Sequence, residues 1–227
     1  LQYTHLGAIH APLAGDPNRL GVDMRAEVMV LDRSVVVQGD ETSEANMYGA
    51  QILVNTPRGR PRANIRFQNA EFRQMGQAFR LGRYAIHWHM HGFLNYQSWI
   101  KNCSIHHSYN RATTIHGSHQ ALIQDTAAYN IMGHTFFLED GVETSNILER
   151  NLVIRTRTSN ALLNTDTNPA SYWITHPNNT YRNNHAAGSA AYGYWFRLLD
   201  NPEGPSYTPT VCPKVRLFSP PMRCSPP

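Results

Sequence analysis

Apolar residues alternate with polar ones over short stretches of the chain, and Asn, Gly or Asp breaks the pattern every few residues. RSVVVQGD (33–40), AQILVN (50–55), NIRFQN (64–69), RYAIHWHM (83–90), TTIHGSH (113–119), HTFFLED (134–140), NLVIRT (151–156) and SYWITH (171–176) all read this way. A period of two sends successive side chains to opposite faces of a strand, and the polar punctuation supplies the turns. Long helical periodicity is absent, so the chain predicts many short strands.

Such a chain is best tested for repeats before any other topology. Five segments share an apolar residue, a polar one, then Asn, Asp or Arg: Phe67-Gln68-Asn69, Ile100-Lys101-Asn102, Ile123-Gln124-Asp125, Leu148-Glu149-Arg150 and Tyr181-Arg182-Asn183. Their starts lie 33, 23, 25 and 33 residues apart. A unit of that length, with two or three short strands and no helix, fits one rung of an all-β parallel β-helix. Its rungs stack at roughly 4.8 Å, so equivalent residues form columns. A β-sandwich would explain the strands but not the repeat, and the leucine-rich L-x-x-L-x-L pattern is missing.

The register of a second strand in each rung follows by counting. Ile115 lies 15 residues after Ile100, and Leu138 lies 15 after Ile123; Ile86 lies 19 after Phe67, which gives that rung four extra residues. With Ile86, Ile115 and Leu138 pointing inward, alternation predicts His87, His116 and Glu139 as an outward column. Arg197 falls in a comparable outward place, and His89 and Ser118 face out two positions further on. Two histidines and a carboxylate suit a divalent metal with open positions. His116, Glu139 and His87 could equally do acid/base work on a substrate. The other reading is a polar ladder that only closes a flat face.

Composition narrows the setting. Only 16% of the 227 residues are charged, below the usual ~25%, which argues against disorder and polyelectrolyte tails. The net charge is +4, and 18 of the 20 basic residues are scattered Arg, a weak footing for nucleic acid. No apolar run reaches the ~18–20 residues of a membrane helix. The twelve histidines are clustered, eight of them between His87 and His134. The first residues lack a signal-peptide pattern, and the chain starts without Met, so it reads as a mature form or part of a longer protein. Sequons at Asn102 and Asn178 permit a secretory route. Cys212 and Cys224 are spaced so that they could pair in an oxidising compartment, leaving Cys103 as a buried thiol.

Other segments carry two readings each. GHTFFLEDG (133–141) holds His134, Glu139 and Asp140, and also reads as a core strand ended by an Asp-Gly turn. His106-His107 reads as a solvated corner. Tyr192, Tyr194 and Trp195 are either a sugar-stacking platform or, more simply, core. RGRPR (58–62) reads as a basic loop that could meet an acidic glycan. Phosphate loops, G-x-S-x-G, Cys-X-X-Cys and H-E-x-x-H are absent.

Several stretches together resemble a known family. RAEVMVLDRSVVVQGD (25–40), LGRYAIHWHMHG (81–92), IHHSYNRATTIHGSH (105–119), GHTFFLEDG (133–141), SYWITHPNNTYRNNHAAGS (171–189), YGYWFR and PEGPS are similar to the right-handed β-helix region of the G8-domain family. That family holds the fibrocystins, the cell-migration-inducing hyaluronan-binding protein and the transmembrane cell-surface hyaluronidase. The resemblance covers about residues 3–213 and implies a single right-handed parallel β-helix of PbH1-type repeats over 1–213. A Pro-rich segment, 214–227, follows as a truncated end or linker. It also implies an extracellular or cell-surface setting, even a ciliary one, and a place in a larger chain. His87, His89, His116, His134 and Glu139 fall on the family's H-x-H, IHGSH and GHxFFLEDG motifs.

Two functions follow from the resemblance and the column together. One is a glycan-interacting domain that depolymerises a hyaluronan-like acidic polysaccharide, with His87, His89, His116 and Glu139 as ligands of a divalent metal or as acid/base groups. The other is a non-catalytic structural or adhesion segment of a large ectodomain, since the motifs are shared by branches with and without an established reaction. The partner is correspondingly a polysaccharide or another cell-surface or extracellular protein, with neither nucleic acid nor membrane insertion expected.

Overall fold

The computed structural model describes residues 7, 9–10, 22–23, 25–57, 59–160 and 164–207. Two compact units are present, Leu1–Val30 and Leu31–Pro227. In the first, β1 (Ile9–His10) and β2 (Val22–Asp23) pair antiparallel.

The second unit is a parallel β-helix of three sheets. The first sheet stacks β4 (Ile52–Asn55), β7 (Ile86–Phe93), β10 (Thr113–His119), β13 (Phe136–Leu138), β16 (Ala170–Ile174) and β19 (Tyr192–Phe196). The second stacks β5 (Arg66–Gln68), β8 (Trp99–Lys101), β11 (Leu122–Gln124), β14 (Ile147–Glu149) and β17 (Thr180–Arg182). The third stacks β3 (Val35–Gln38), β6 (Ala70–Arg73), β9 (Ser104–Ser108), β12 (Ala127–Met132), β15 (Leu152–Arg157) and β18 (His185–Ala187). Every pairing within these sheets is parallel. A short helix, α1 (Ser43–Asn46), lies between β3 and β4.

The sequence repeat is the second sheet. Phe67, Ile100, Ile123, Leu148 and Tyr181 are register partners in one inward column. The residue two places on, Asn69, Asn102, Asp125, Arg150 or Asn183, takes a left-handed backbone with φ between 48° and 57° and turns the chain into the third sheet. Asn and Asp tolerate that region better than most residues. Arg150 occupies it while its guanidinium pairs with Asp125 one rung below (Nε–Oδ1, 2.7 Å). Other asparagines satisfy the backbone between rungs: Asn151 accepts from Thr126 N–H and donates to the Ile123 carbonyl, and Asn184 Oδ1 accepts from Asn151 N–H. Asn69, Asn102 and Asn183 are thus corner residues, and Asn151 and Asn184 ladder residues.

Inward columns fill the interior. Ile86, Thr113, Phe136, Tyr172 and Tyr194 form one, and Val54, Trp88, Ile115 and Leu138 another. The third sheet contributes Val37, Phe72, Ile105, Ala128 and Val153. Tyr194 stacks on Tyr172 at 4.7 Å and Trp195 lies over Trp173 at 6.1 Å, so these rings continue aromatic stacks of the first sheet.

The counted register needs one correction. Ile115 pairs with Leu138 as expected, but its partner on β7 is Trp88, not Ile86. Consequently His116 lies beside His89 rather than His87, and Ser118 lies beside Gly92. The slip is two residues, so every side chain keeps its face. Arg197 follows Phe196, the partner of Ile174, and so does belong to the column of Glu139. Cys103 is buried and free, whereas Cys212, Cys224, Arg58 and the 213/214 boundary lie outside the described residues. Among the described residues no helix is long and apolar enough to cross a membrane.

Candidate metal centre

The outward face of the first sheet gathers His87, His89, His116 and Glu139. His87 and His89 leave the same side of β7 because they are two apart, and His116 reaches between them from the next rung. The His87 and His116 rings lie parallel with centroids 5.9 Å apart, and His89 meets both edge-on at 5.2 and 4.9 Å. Glu139 follows Leu138 at the end of β13, with its carboxylate Oε2 3.6 Å from His116 Nδ1.

The His87 and His116 rings are each held by a partner behind them. His87 Nδ1 donates to the Gly82 carbonyl (3.1 Å), which leaves Nε2 as the lone-pair nitrogen. His116 Nε2 donates to Asp140 Oδ2 (2.8 Å), which frees Nδ1. The atoms left over, His87 Nε2, His116 Nδ1 and Glu139 Oε2, are all buried and have no hydrogen-bond partner. The three residues offer donor atoms that all lie within 4.8 Å of one another. Orphaned buried polar atoms are costly and uncommon, and three lying this close together could hold a divalent ion. The 3.6 Å separation is close to the roughly 3.4 Å between two donors on a tetrahedral ion bound at ~2.1 Å. Orientation of a ligating imidazole by a carboxylate or carbonyl on its other nitrogen is the usual support of such sites. His89 lies outside this donor set, although its backbone is in register with His116.

Burial and neighbouring charges act differently on the four groups, favouring the neutral form of His87 but the protonated forms of His116 and Glu139. Burial, then the Gly82 hydrogen bond acting against it and the charges of His116 and His89 acting with it, bring His87 down to about 3, so the ring is neutral and ligand-competent. Burial also pulls His116 down, but the Asp140 hydrogen bond and the charges of Glu139 and Asp140 outweigh it and raise its pKa overall. Burial raises the Glu139 carboxyl. Burial also acts to raise Asp140, but hydrogen bonds from His116 and Ser206 hold it below its ordinary value.

Sequence reading put Asp140 in a turn and passed over its role behind His116. It also missed Glu143, which accepts from the N–H groups of Gly117, Asp140 and Gly141 at 2.9, 3.1 and 2.7 Å and so fixes the loop that carries Asp140. Nothing in the local pattern marks Arg111 or Asp166 either. Arg111 is 1% exposed and bridges Asp166 through two hydrogen bonds (3.2 and 2.7 Å), donates to the Tyr84 hydroxyl, and lies 3.7 Å over the Phe137 ring.

His134 belongs to this second network and not to the donor set. Its ring Nδ1 accepts from Ala170 N–H and the ring packs on Phe137 and Trp173, while its backbone N–H donates to Asp166. Gly133, at φ +84°, is required because a Cβ there would lie 2.7 Å from Asp166 Oδ1. Burial holds His134 at about 3, whereas an unfolded histidine takes its proton near 6.5. The unfolded chain thus binds more protons between these values, and stability falls as pH drops through that window. The expected slope is about 1.4 kcal/mol per pH unit for this residue, with His87 adding a second. In urea titrations from pH 7 to 4, His134→Gln should show a shallower acid loss than the parent; equal slopes would refute the assignment.

His106 is buried rather than solvated, hydrogen-bonded to Glu71 at 3.1 Å, and burial lowers its pKa. Asn102 is exposed at a corner with its amide on Asn69, and Asn178 is exposed in the loop before β17.

The fold and the site define a class: a parallel β-helix with a buried two-histidine, one-carboxylate cluster on the outward face of one sheet. The CEMIP beta-helix family model matches residues 47–221, and the chain belongs to that family. It is 38% identical over 247 residues to mouse fibrocystin-L, covering 94% of this chain and 6% of the relative. It is 33% identical over 247 residues to human cell surface hyaluronidase CEMIP2, covering 90% and 17%. It is also 33% identical over 254 residues to the mouse cell migration-inducing and hyaluronan-binding protein, covering 90% and 19%. The chain therefore spans less than a fifth of the length of these relatives.

Proposed function

We propose that this domain is an extracellular or cell-surface glycan-processing module in which His87 Nε2, His116 Nδ1 and Glu139 Oε2 hold a divalent cation. The observation that carries the reading is the convergence of those three buried atoms, each without a hydrogen-bond partner, with the two imidazoles oriented by Gly82 and Asp140. The substrate class, a hyaluronan-like acidic polysaccharide, comes from what two relatives are named for. A bound cation would supply Lewis-acid attraction for a sugar oxygen. The chain's own part is to orient the imidazoles through Gly82 and Asp140, and His89, half-exposed at the edge of the cluster, faces incoming substrate.

Burial favours a second reading. His87 and His116 are only 2% and 4% exposed, and the 203–206 segment bonds to Asp140 through Glu203 N–H and Ser206 N–H. Under it, the same cation staples three rungs of a non-catalytic segment in a larger ectodomain.

The test is elemental analysis of the purified chain together with chromatographic sizing of hyaluronan after incubation. One divalent ion per chain, lost in His116→Ala together with shortening of the polymer, is the result expected. An ion lost in a variant that melts lower, with polymer uncut by either protein, would support the staple. A metal-free chain and uncut polymer would overturn both uses of the cation.

A further inference from the structure

Two sequons, Asn102-Cys103-Ser104 and Asn178-Asn179-Thr180, have no part in the histidine cluster, and both asparagines are exposed. The motif alone treats them as equal. An Asn-linked glycan is bulky and belongs on open surface, so the surroundings of each amide nitrogen decide between them.

Asn102 stands inside a column. It turns the chain out of the second sheet at φ 48°, with Asn69 at the same corner one rung below and Asp125 one rung above. Its Nδ2 donates to Asn69 Oδ1 at 2.7 Å, and its carbonyl accepts from Arg33 Nε at 3.0 Å. Ser104, the third residue of the sequon, is fully buried, and its hydroxyl donates to the Leu31 carbonyl. A glycan on Asn102 Nδ2 would therefore have to stand between rungs roughly 4.8 Å apart, against Asn69, the Asp125–Arg150 ion pair and segment 31–33.

Asn178 stands clear of the columns, in the loop from β16 to β17. Its backbone is pinned, because its N–H donates to His176 Nδ1 at 3.1 Å and its carbonyl accepts from Ser145 N–H. Asn179 secures the loop from the other side: its Oδ1 accepts from Asn146 N–H and Nδ2 at 2.9 and 3.0 Å, and its Nδ2 donates to the Glu143 carbonyl at 2.8 Å. The Asn178 amide takes no share in this, and among the described residues it has no hydrogen-bond partner. Thr180, the third residue here, is exposed at the start of β17.

We infer that Asn178 is an N-glycosylation site and that Asn102 stays unmodified. The inference rests on the extracellular or cell-surface setting proposed above and not on the cation. A glycan at Asn178 keeps the corner between the first and second sheets facing solvent in the larger chain, so partner surfaces lie elsewhere on the domain.

The test is secretion of the full chain from a eukaryotic cell line behind a signal sequence, which supplies the route whatever the native setting. Intact mass gives the glycan count. Release by peptide:N-glycosidase F in heavy-oxygen water then labels the modified position, and trypsin separates the sequons into peptides 102–111 and 158–182. The label is expected on 158–182 alone. Asn178→Gln and Thr180→Ala should each lose one glycan, while Thr180→Ser and Asn102→Gln should keep it. The glycosidase should also act on the folded protein, with the melting temperature little changed. An unlabelled 158–182 in secreted protein, a label on 102–111, or release only after denaturation would each overturn the assignment, and the unmutated chain alone can give all three.

Discussion

Asp166→Ala is expected to destabilise the domain by about 3–5 kcal/mol, the usual effect of breaking a buried ion pair from one side. The reason is Arg111, which is fully enclosed and loses both guanidinium bonds at 3.2 and 2.7 Å. Tyr84 and the Phe137 ring remain around it but carry no counter-charge. The same carboxylate accepts the His134 N–H, so the turn leading into β13, and with it Glu139, is held from one point. A urea titration should show a lower midpoint with the slope retained. Replacing both partners, Arg111→Met with Asp166→Leu, should recover much of the loss, because removing the pair is far milder than orphaning a charge. If the double variant is no more stable than Asp166→Ala, the ion pair is not the cause.

Trp88→Ala should cost a similar amount, about 3–5 kcal/mol. Trp88 is fully buried and, among the described residues, is the largest enclosed side chain, in register with Val54 and Ile115. Its Nε1 donates to Ser98 Oγ at 2.8 Å, and that hydroxyl in turn donates to the Ile65 carbonyl at 3.1 Å, tying the first sheet to the segment entering β5. Trp88→Phe keeps most of the volume and loses mainly the hydrogen bond, so it should cost about 1 kcal/mol. Comparable losses in the two variants, read by thermal or urea unfolding, would mean that the indole N–H and not the packing carries the effect.

The same residue explains where the histidine register slipped. Counting from Ile86 treated the inward position of β7 as an aliphatic one, but β7 has two inward residues, Ile86 and Trp88, and the larger faces Ile115. The error left the site intact because a two-residue slip preserves the face. His87, His116 and Glu139 still converge, diagonally across rungs and not along one column. The supporting residues were less legible. Asp140 looked like a turn residue because Asp-Gly is a turn signal, and it serves there while also binding His116. Arg111 and Asp166 are 55 residues apart and meet only through the rung geometry.

Local pattern by itself determined the strands, the repeat and the corners, since period-two alternation and residues tolerant of positive φ act within a few residues along the chain. It also determined that His87, His89 and His116 point to the outward face of the first sheet, though not that His106 is buried. The tertiary structure alone decided which rung meets which, because that depends on how many residues each corner takes up. It likewise decided which lone pairs remain unsatisfied: partners such as Gly82, Asp140 and Asp166 are chosen by packing across rungs, where sequence distance no longer measures separation.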